Sequence, residues 1–272
     1  MFTKSQVQFH ETFQPQPEYI SAVLELACSE YEGTKENISE RTGIPTGKQK
    51  GKVVPHLKYA QYMGLITFEN SAGIYSLQPT ALGRQVFAED PYLLEGLTRL
   101  VLNYYLTDKQ TGAPQWSYIF HTLPHLLDQP VDNDFLKGRC NTFFGFPVEL
   151  GVVRLSYQTG MFEGLNLLDW TDKELVFKRG YISSQDMPVY AYTLIDTWER
   201  ILPEQQEIPL PMILNELGWG AGFGFDDADI AMVIDALADE RYVQINRQLF
   251  PATVIRFAKK EDLLPKLYSN LI

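Results

Sequence analysis

A mainly α-helical chain with a minor β component is what the 272-residue sequence predicts. Three observations carry that expectation. Apolar residues recur at helical spacing, as in Tyr19, Ile20, Val23, Leu24 and Ala27. Short β-rich runs come in a pair on either side of Asn70-Ser71-Ala72-Gly73. A second series of helix, strand, turn and strand closes the chain, in Ile230–Leu237, Tyr242–Asn246 and Thr253–Phe257. The expected layout is an N-terminal winged helix-turn-helix with its lead-in over 1–90, a helical middle region over 91–205, and a smaller winged-helix-like module over 206–272.

The lead-in reads as extended up to Pro15 and Pro17, which keep a helix from starting before Glu18. It holds Phe9-His10-Glu11-Thr12-Phe13. A helix then runs from Pro17 to Tyr31 and closes near Gly33. Asn37 and Ser39 introduce a short helix, Ile38–Thr42, stopped by Gly43 with Pro45 beyond. Gly43–Gly47 is the expected turn. The next helix follows Pro55, which suits a first turn because its missing N–H removes no helical bond. Leu65–Phe68 and Ile74–Leu77 form the hairpin wing.

From Arg41 to Lys58 the chain carries five cations and no acid, whereas its formal net charge is −11. Lys48, Lys50 and Lys52 fall at or just before a helix N-terminus, where backbone N–H groups and the helix dipole favour phosphate. Lys58 and Gln61 lie away from the apolar face of Leu57 and Ala60. Arg41, Lys48, Lys50, Lys52 and Lys58 are therefore candidate phosphate contacts, with Gln49 and Gln61 nearer the bases. The acidic whole excludes a general nucleic-acid coating protein, so any DNA contact must be local and salt-sensitive. The bland reading is a protein-interaction module with a solvated lysine loop.

Pro79-Thr80 offers a cap for Leu82–Phe87, and the segment resumes after Asp90-Pro91 as Tyr92–Leu106. Residues 107–115 and 128–134 are loops, Trp116–Leu127 is helical, and 135–157 is equally arguable as helix or strand. A short strand is expected at Glu174–Lys178, and helices at Pro188–Ile201 and Pro209–Leu217. Gly218–Phe225 is a glycine loop before the helix that Asp226-Asp227 begins. That last helix is rich in acids, which predicts protein and not DNA as its partner.

HETF at 10–13, GK at 51–52, KYAQYMGLI at 58–66, LGRQVFAEDPYLLE at 82–95, and Trp116 with Tyr118-Ile119-Phe120 occur in that order. LVFKR at 175–179 and PVYAY at 188–192, leading into Ile195-Asp196-Thr197-Trp198, continue the series. Together they resemble the bacterial family catalogued as domain of unknown function 4007, over nearly the whole chain. The resemblance implies a protein of DNA phosphorothioation or related phage-defence loci, accompanied by a phosphoadenosine-phosphosulfate-reductase-like protein. It implies no catalytic residues.

Motifs for chemistry are sparse. GWGAGFGF at 218–225 does not fit GxGxxG in any register and has no preceding Rossmann-type strand. His121 and His125 share helical spacing but lack a companion ligand, and Pro124 disturbs the geometry. His10 and Glu11 could do acid/base work. The plainer role for HETF, with Phe9 before it, is to anchor the lead-in, with Phe9 and Phe13 buried and the polar groups hydrogen-bonded. Cys28 and Cys140 form no CxxC pair, which fits a reducing cytoplasm, and no run approaches the length of a membrane span. The expectation is a non-enzymatic, cytoplasmic DNA-binding accessory protein without cofactor or metal, its partners being double-stranded DNA and proteins of a modification or defence complex. The alternatives are a dimeric transcriptional regulator, a scaffold that binds no DNA, and a hidden nuclease.

Overall fold

The structure, a computed structural model, describes residues 2–47, 51–126, 129–248 and 250–271. The chain divides into two compact units, 1–178 and 179–272. Helices dominate both, and the described strands form three small antiparallel sheets.

Unit 1 begins with α1 (Lys4–Val7), a turn of helix inside the stretch expected to be extended. The reason is local: Thr3 accepts from the Gln6 amide while Gln6 Oε1 accepts from the Thr3 amide at 2.9 Å, a reciprocal cap. α2 (Pro17–Cys28) buries Ile20, Val23, Leu24 and Ala27 and packs on the helices and hairpin that follow. Each of its larger aliphatic side chains contributes about 2 kcal/mol by leaving water. β1 (Glu32–Thr34) leads into α3 (Lys35–Thr42), which starts three residues earlier than its sequence suggests. Thr34 is the N-cap and Asn37 the reciprocal partner at the third position, so Asn37 completes a cap instead of providing it. Gly43 ends the helix at φ +71°.

α4 (Val53–Tyr62) follows, then β2 (Ile66–Ser71) and β3 (Ile74–Pro79). β3 is the centre of the first sheet, flanked antiparallel by β1 and β2. Thr80 caps α5 (Ala81–Glu89) by accepting from the Gly83 amide, and its hydroxyl donates to the Gly64 carbonyl at 2.6 Å. A Cβ on Gly83 would sit 2.0 Å from the Leu65 carbonyl oxygen, so only glycine lets α5 approach that closely. α6 (Gly96–Thr107) begins after Asp90 has turned the chain, its carboxylate accepting from the amides of Leu94 and Glu95. α7 (Pro114–His121), β4 (Val131–Asp132), α8 (Asn133–Phe144), α9 (Gly151–Gln158), β5 (Leu168–Trp170) and β6 (Glu174–Phe177) complete the unit, with β6 central in the second sheet. The stretch 135–157, ambiguous in sequence, is two helices separated by Gly145 at φ +79°.

Unit 2 is built around α10 (Met187–Ile201), whose residues 187–198 are all buried. β7 (Glu207–Pro209) precedes α11 (Leu210–Met212), which runs on as a π-helical turn to Leu217. α12 (Asp227–Asp239), β8 (Val243–Asn246), β9 (Thr253–Arg256) and α13 (Lys260–Leu263) follow. β9 is the central strand of the third sheet, between β7 and β8. Buried Asp196 on α10 accepts from Lys260 at 3.1 Å and lies 3.5 Å from Arg200, tying α13 to α10.

Candidate nucleic-acid interface

The cationic turn between α3 and α4 is closed on itself. The Lys52 amide donates to the Pro45 carbonyl at 2.8 Å, and the chain folds back so tightly that a Cβ on Gly51 would meet the Thr46 backbone at 2.8 Å. This explains the glycine of the GK pair. The sequence candidates Lys48, Gln49 and Lys50 lie outside the described residues. Lys35 Nζ reaches the Gly47 carbonyl at 3.4 Å. The sequence reading missed Lys35, because α3 had been started downstream of it.

The other candidates are placed less freely than their spacing suggests. Lys52 stands at the N-cap of α4, as expected, but its ammonium turns back into the lead-in. It donates to Gln16 Oε1 at 3.1 Å and lies over the rings of Phe13 (5.6 Å) and Tyr19 (5.2 Å). Lys58 is half-buried, sits 4.8 Å above the Phe68 ring of β2 and donates to Gln61 Oε1 at 3.1 Å. Burial lowers the pKa of its ammonium. Val54, Lys58 and Gln61 form the part-exposed stripe of α4, while Val53, Pro55, His56, Leu57, Tyr59 and Ala60 are buried. Arg41 is exposed at the end of α3, its guanidinium 5.7 Å from the Tyr31 ring centre.

The lead-in reaches α4 through aromatic rings and two histidines. Phe9 meets Tyr59 and Tyr62, each at 4.9 Å between ring centres, and Tyr59 donates to the Phe13 carbonyl at 2.9 Å. The Gln16 amide donates to His56 Nε2 at 3.3 Å, so Nδ1 carries the proton and donates to the Lys52 carbonyl at 2.7 Å. Burial pulls the His56 pKa down to about 4, and the nearby Lys52 charge acts in the same direction. Along Phe9–Phe13, Phe9 and His10 are buried and Phe13 is half-buried, whereas Glu11 and Thr12 are exposed. Glu11 makes the turn at φ +54°. The segment is thus an anchor by its rings and backbone, and its carboxylate faces solvent.

Unit 2 is different at the corresponding point. Asp226 accepts from the Asp229 amide at 2.8 Å in a reciprocal cap of α12, and Arg179 grips the buried Asp229 carboxylate, Nε to Oδ2 at 2.7 Å with a second bond to Oδ1. That guanidinium holds Asp229 below the usual carboxylate range. Ala228, Met232, Asp235 and Asp239 form the outward stripe of α12. A cleft of about 650 Å³ beside it is lined by Asp235, Asp239, Arg241, Arg247 and Phe257. The glycine loop before α12 is a packed turn, with Trp219 and Phe223 buried and Trp219 donating to Thr193 Oγ1 at 2.9 Å.

Among the described residues no group of three or more His, Cys, Asp or Glu side chains could hold a metal ion, and no helix is long and apolar enough to cross a membrane. No protein-family model matches the chain, and no curated protein does. Two solved structures are similar. A crystal structure of SspB with magnesium ion bound superposes at a TM-score of 0.73 with 20% identity, over 97% of this chain and 88% of that one. A second SspB crystal structure gives 0.74 and 19% over the same shares. The likeness is one of fold.

Proposed function

We propose that the chain is a non-enzymatic DNA-binding accessory protein in which an N-terminal winged helix-turn-helix is followed along the chain by a helical middle region and a winged-helix-like C-terminal module. α2 to β3 is the DNA-docking module. The observation that carries this reading is the closure of the chain at the N-terminal end of α4, where the Lys52 amide donates to the Pro45 carbonyl, with Lys35 on the Gly47 carbonyl and Arg41 exposed at the end of the preceding helix. No side chain caps α4 among the described residues, so its dipole supports an anion there. Lys48, Lys50 and Arg41 take phosphates in this reading, and Lys58 with Gln61 lies along the groove. Lys52 orders the turn. The sequence resemblance to domain of unknown function 4007 supports a setting in DNA phosphorothioation or phage defence, with a phosphoadenosine-phosphosulfate-reductase-like protein among the partners. The outward acids of α12 favour a protein over DNA at the second module.

The test is a titration of double-stranded DNA over a series of salt concentrations, comparing the protein with its K48Q/K50Q variant. Losing two phosphate contacts should flatten the slope of log K against log salt by roughly 1.8. An unchanged slope, or binding that ignores salt, refutes the assignment. Incubating the same mixtures with magnesium reports on the enzyme alternative, because metal-dependent cleavage would make the chain a nuclease.

A further inference from the structure

The helix before each hairpin ends in the same way. α4 gives way to Gly64 at φ +72°, with the Leu65 amide on the Ala60 carbonyl at 2.9 Å, and α12 to Arg241 at φ +65°, with the Tyr242 amide on the Leu237 carbonyl at 2.8 Å. Counting back from these ends, Lys58 and Gln61 match Asp235 and Ala238; counting forward, Phe68 matches Ile245. In the first module Lys58 lies 4.8 Å from the centre of the Phe68 ring and donates to Gln61, so long side chains bridge α4 and the edge strand β2. In the second the matching Asp235, Ala238 and Ile245 are shorter. There the cleft of about 650 Å³ lies between α12 and the edge strand β8.

β8 has β9 on one side only, and among the described residues no other backbone bond reaches Val243–Asn246. Alternate N–H and C=O groups of such an edge point outward, ready to pair. Phe257, 59% exposed, adds apolar surface to the cleft. Asp235 is answered by Arg247 at 2.6 Å, whereas Asp239 and Arg241 form no ion pair among the described residues. Arg241 also keeps a left-handed backbone where the first module has glycine, a conformation that disfavours an arginine.

We propose that this cleft takes an extended segment of a partner protein, which adds as a strand to β8 alongside α12, with a lysine or arginine of the segment on Asp239 and a carboxylate on Arg241. An edge strand facing a helix across a cleft is the geometry of strand addition: main-chain bonds hold the segment and alternate side chains enter the cleft. The four residues of β8 span about 13 Å, room for an equal length of partner. The two unpaired charges are of opposite sign and select a segment that carries both, whereas duplex DNA supplies only anions. The inference rests on the reading of the second module as a protein-binding one and names its site.

The probe is the peptide acetyl-TEVKVT-amide, whose glutamate and lysine share one face when extended, titrated into the whole chain and followed by amide NMR. Shift changes should be confined to Val243–Asn246 and the outward stripe of α12. Of two neighbouring peptide amides only one faces β8, so N-methylation of one should weaken binding about tenfold and N-methylation of the next should leave it unchanged. D235K/I245F, which rebuilds the Lys58–Phe68 bridge in the second module, should weaken binding by a similar factor. Absence of shifts at β8, equal effects of the two N-methyl groups, or undiminished binding to D235K/I245F overturns the proposal. The methylated peptides are read on the wild-type protein, so the test does not depend on the variant folding. Duplex DNA that shifts the same β8 amides would overturn the protein-binding reading itself, whereas a silent peptide with DNA confined to α4 overturns the strand addition alone.

Discussion

The segments α2–β3 and α10–β9 have the same plan: helix, strand, helix, helix and hairpin, with the last strand lying between the other two. They differ at the start of the helix before the hairpin. α4 begins at an uncapped lysine after a polar, cationic turn tied by Pro45 and Lys52. α12 begins at a reciprocally capped aspartate, locked by Arg179, after a turn filled with Trp219 and Phe223. In α12 the helix dipole is already answered by its own carboxylates, whereas in α4 it adds to the positive charge of the turn. One frame thus carries two opposite charge arrangements, and the difference lies in a few residues at one helix end.

Acid should separate the two units most strongly. The folded pKa values of His10 and His56 are about 4, against about 6.5 unfolded. Because the folded values are depressed, the unfolded chain gains protons first. Their contribution is therefore complete above pH 6.5 and falls as the pH drops toward 4. By pH 5 each imidazole should have removed about 2 kcal/mol of stability. Residues 179–272 contain no histidine. Hydrogen exchange, corrected for intrinsic rates, should show loss of protection between pH 7 and 5 in the α2–α4 peptides and little change around α10. Equal losses would break the contrast. A smaller effect is expected from D226A, which removes the cap of α12 and should cost unit 2 about 1–2 kcal/mol in urea unfolding. K52M should cost about 1 kcal/mol through the lost contacts to Gln16, Phe13 and Tyr19. It should weaken DNA binding less than K48Q/K50Q does. If K52M abolishes binding while leaving stability intact, Lys52 is a phosphate ligand and not a tether.

What the sequence revealed was local. Asp226, Thr80, Gly43 and Pro17 mark helix ends through bonds to residues within a few positions, so their roles could be read directly. The 70–73 hairpin turn was equally plain. Thr34 was missed because the first turn after it, Lys35-Glu36-Asn37, carries no apolar periodicity. The ambiguity of 135–157 came from Phe143, Phe144 and Phe146 lying close together, where side chains on both helical faces look apolar. For the candidate interface, spacing placed Lys52 at the right helix end. Its ammonium, however, is held by Gln16, 36 positions earlier. Lys58 likewise pairs with Phe68 on the first strand of the hairpin, β2. Neither long-range partner has a periodic signature, so the composition of the face was legible and its freedom was not.

The ordering of that face has a time dimension during synthesis. His10 emerges about a hundred residues before Gln115 and Trp116, against which it packs. At ordinary elongation rates that is a delay of roughly 5–20 s. For that interval α2, α3, α4 and their hairpin can assemble and the lead-in can meet Tyr59, Tyr62 and His56, but His10 lacks the Trp116 ring it packs against. The nascent chain thus builds its helix-and-hairpin frame first and completes the packing around His10 later, when α7 arrives.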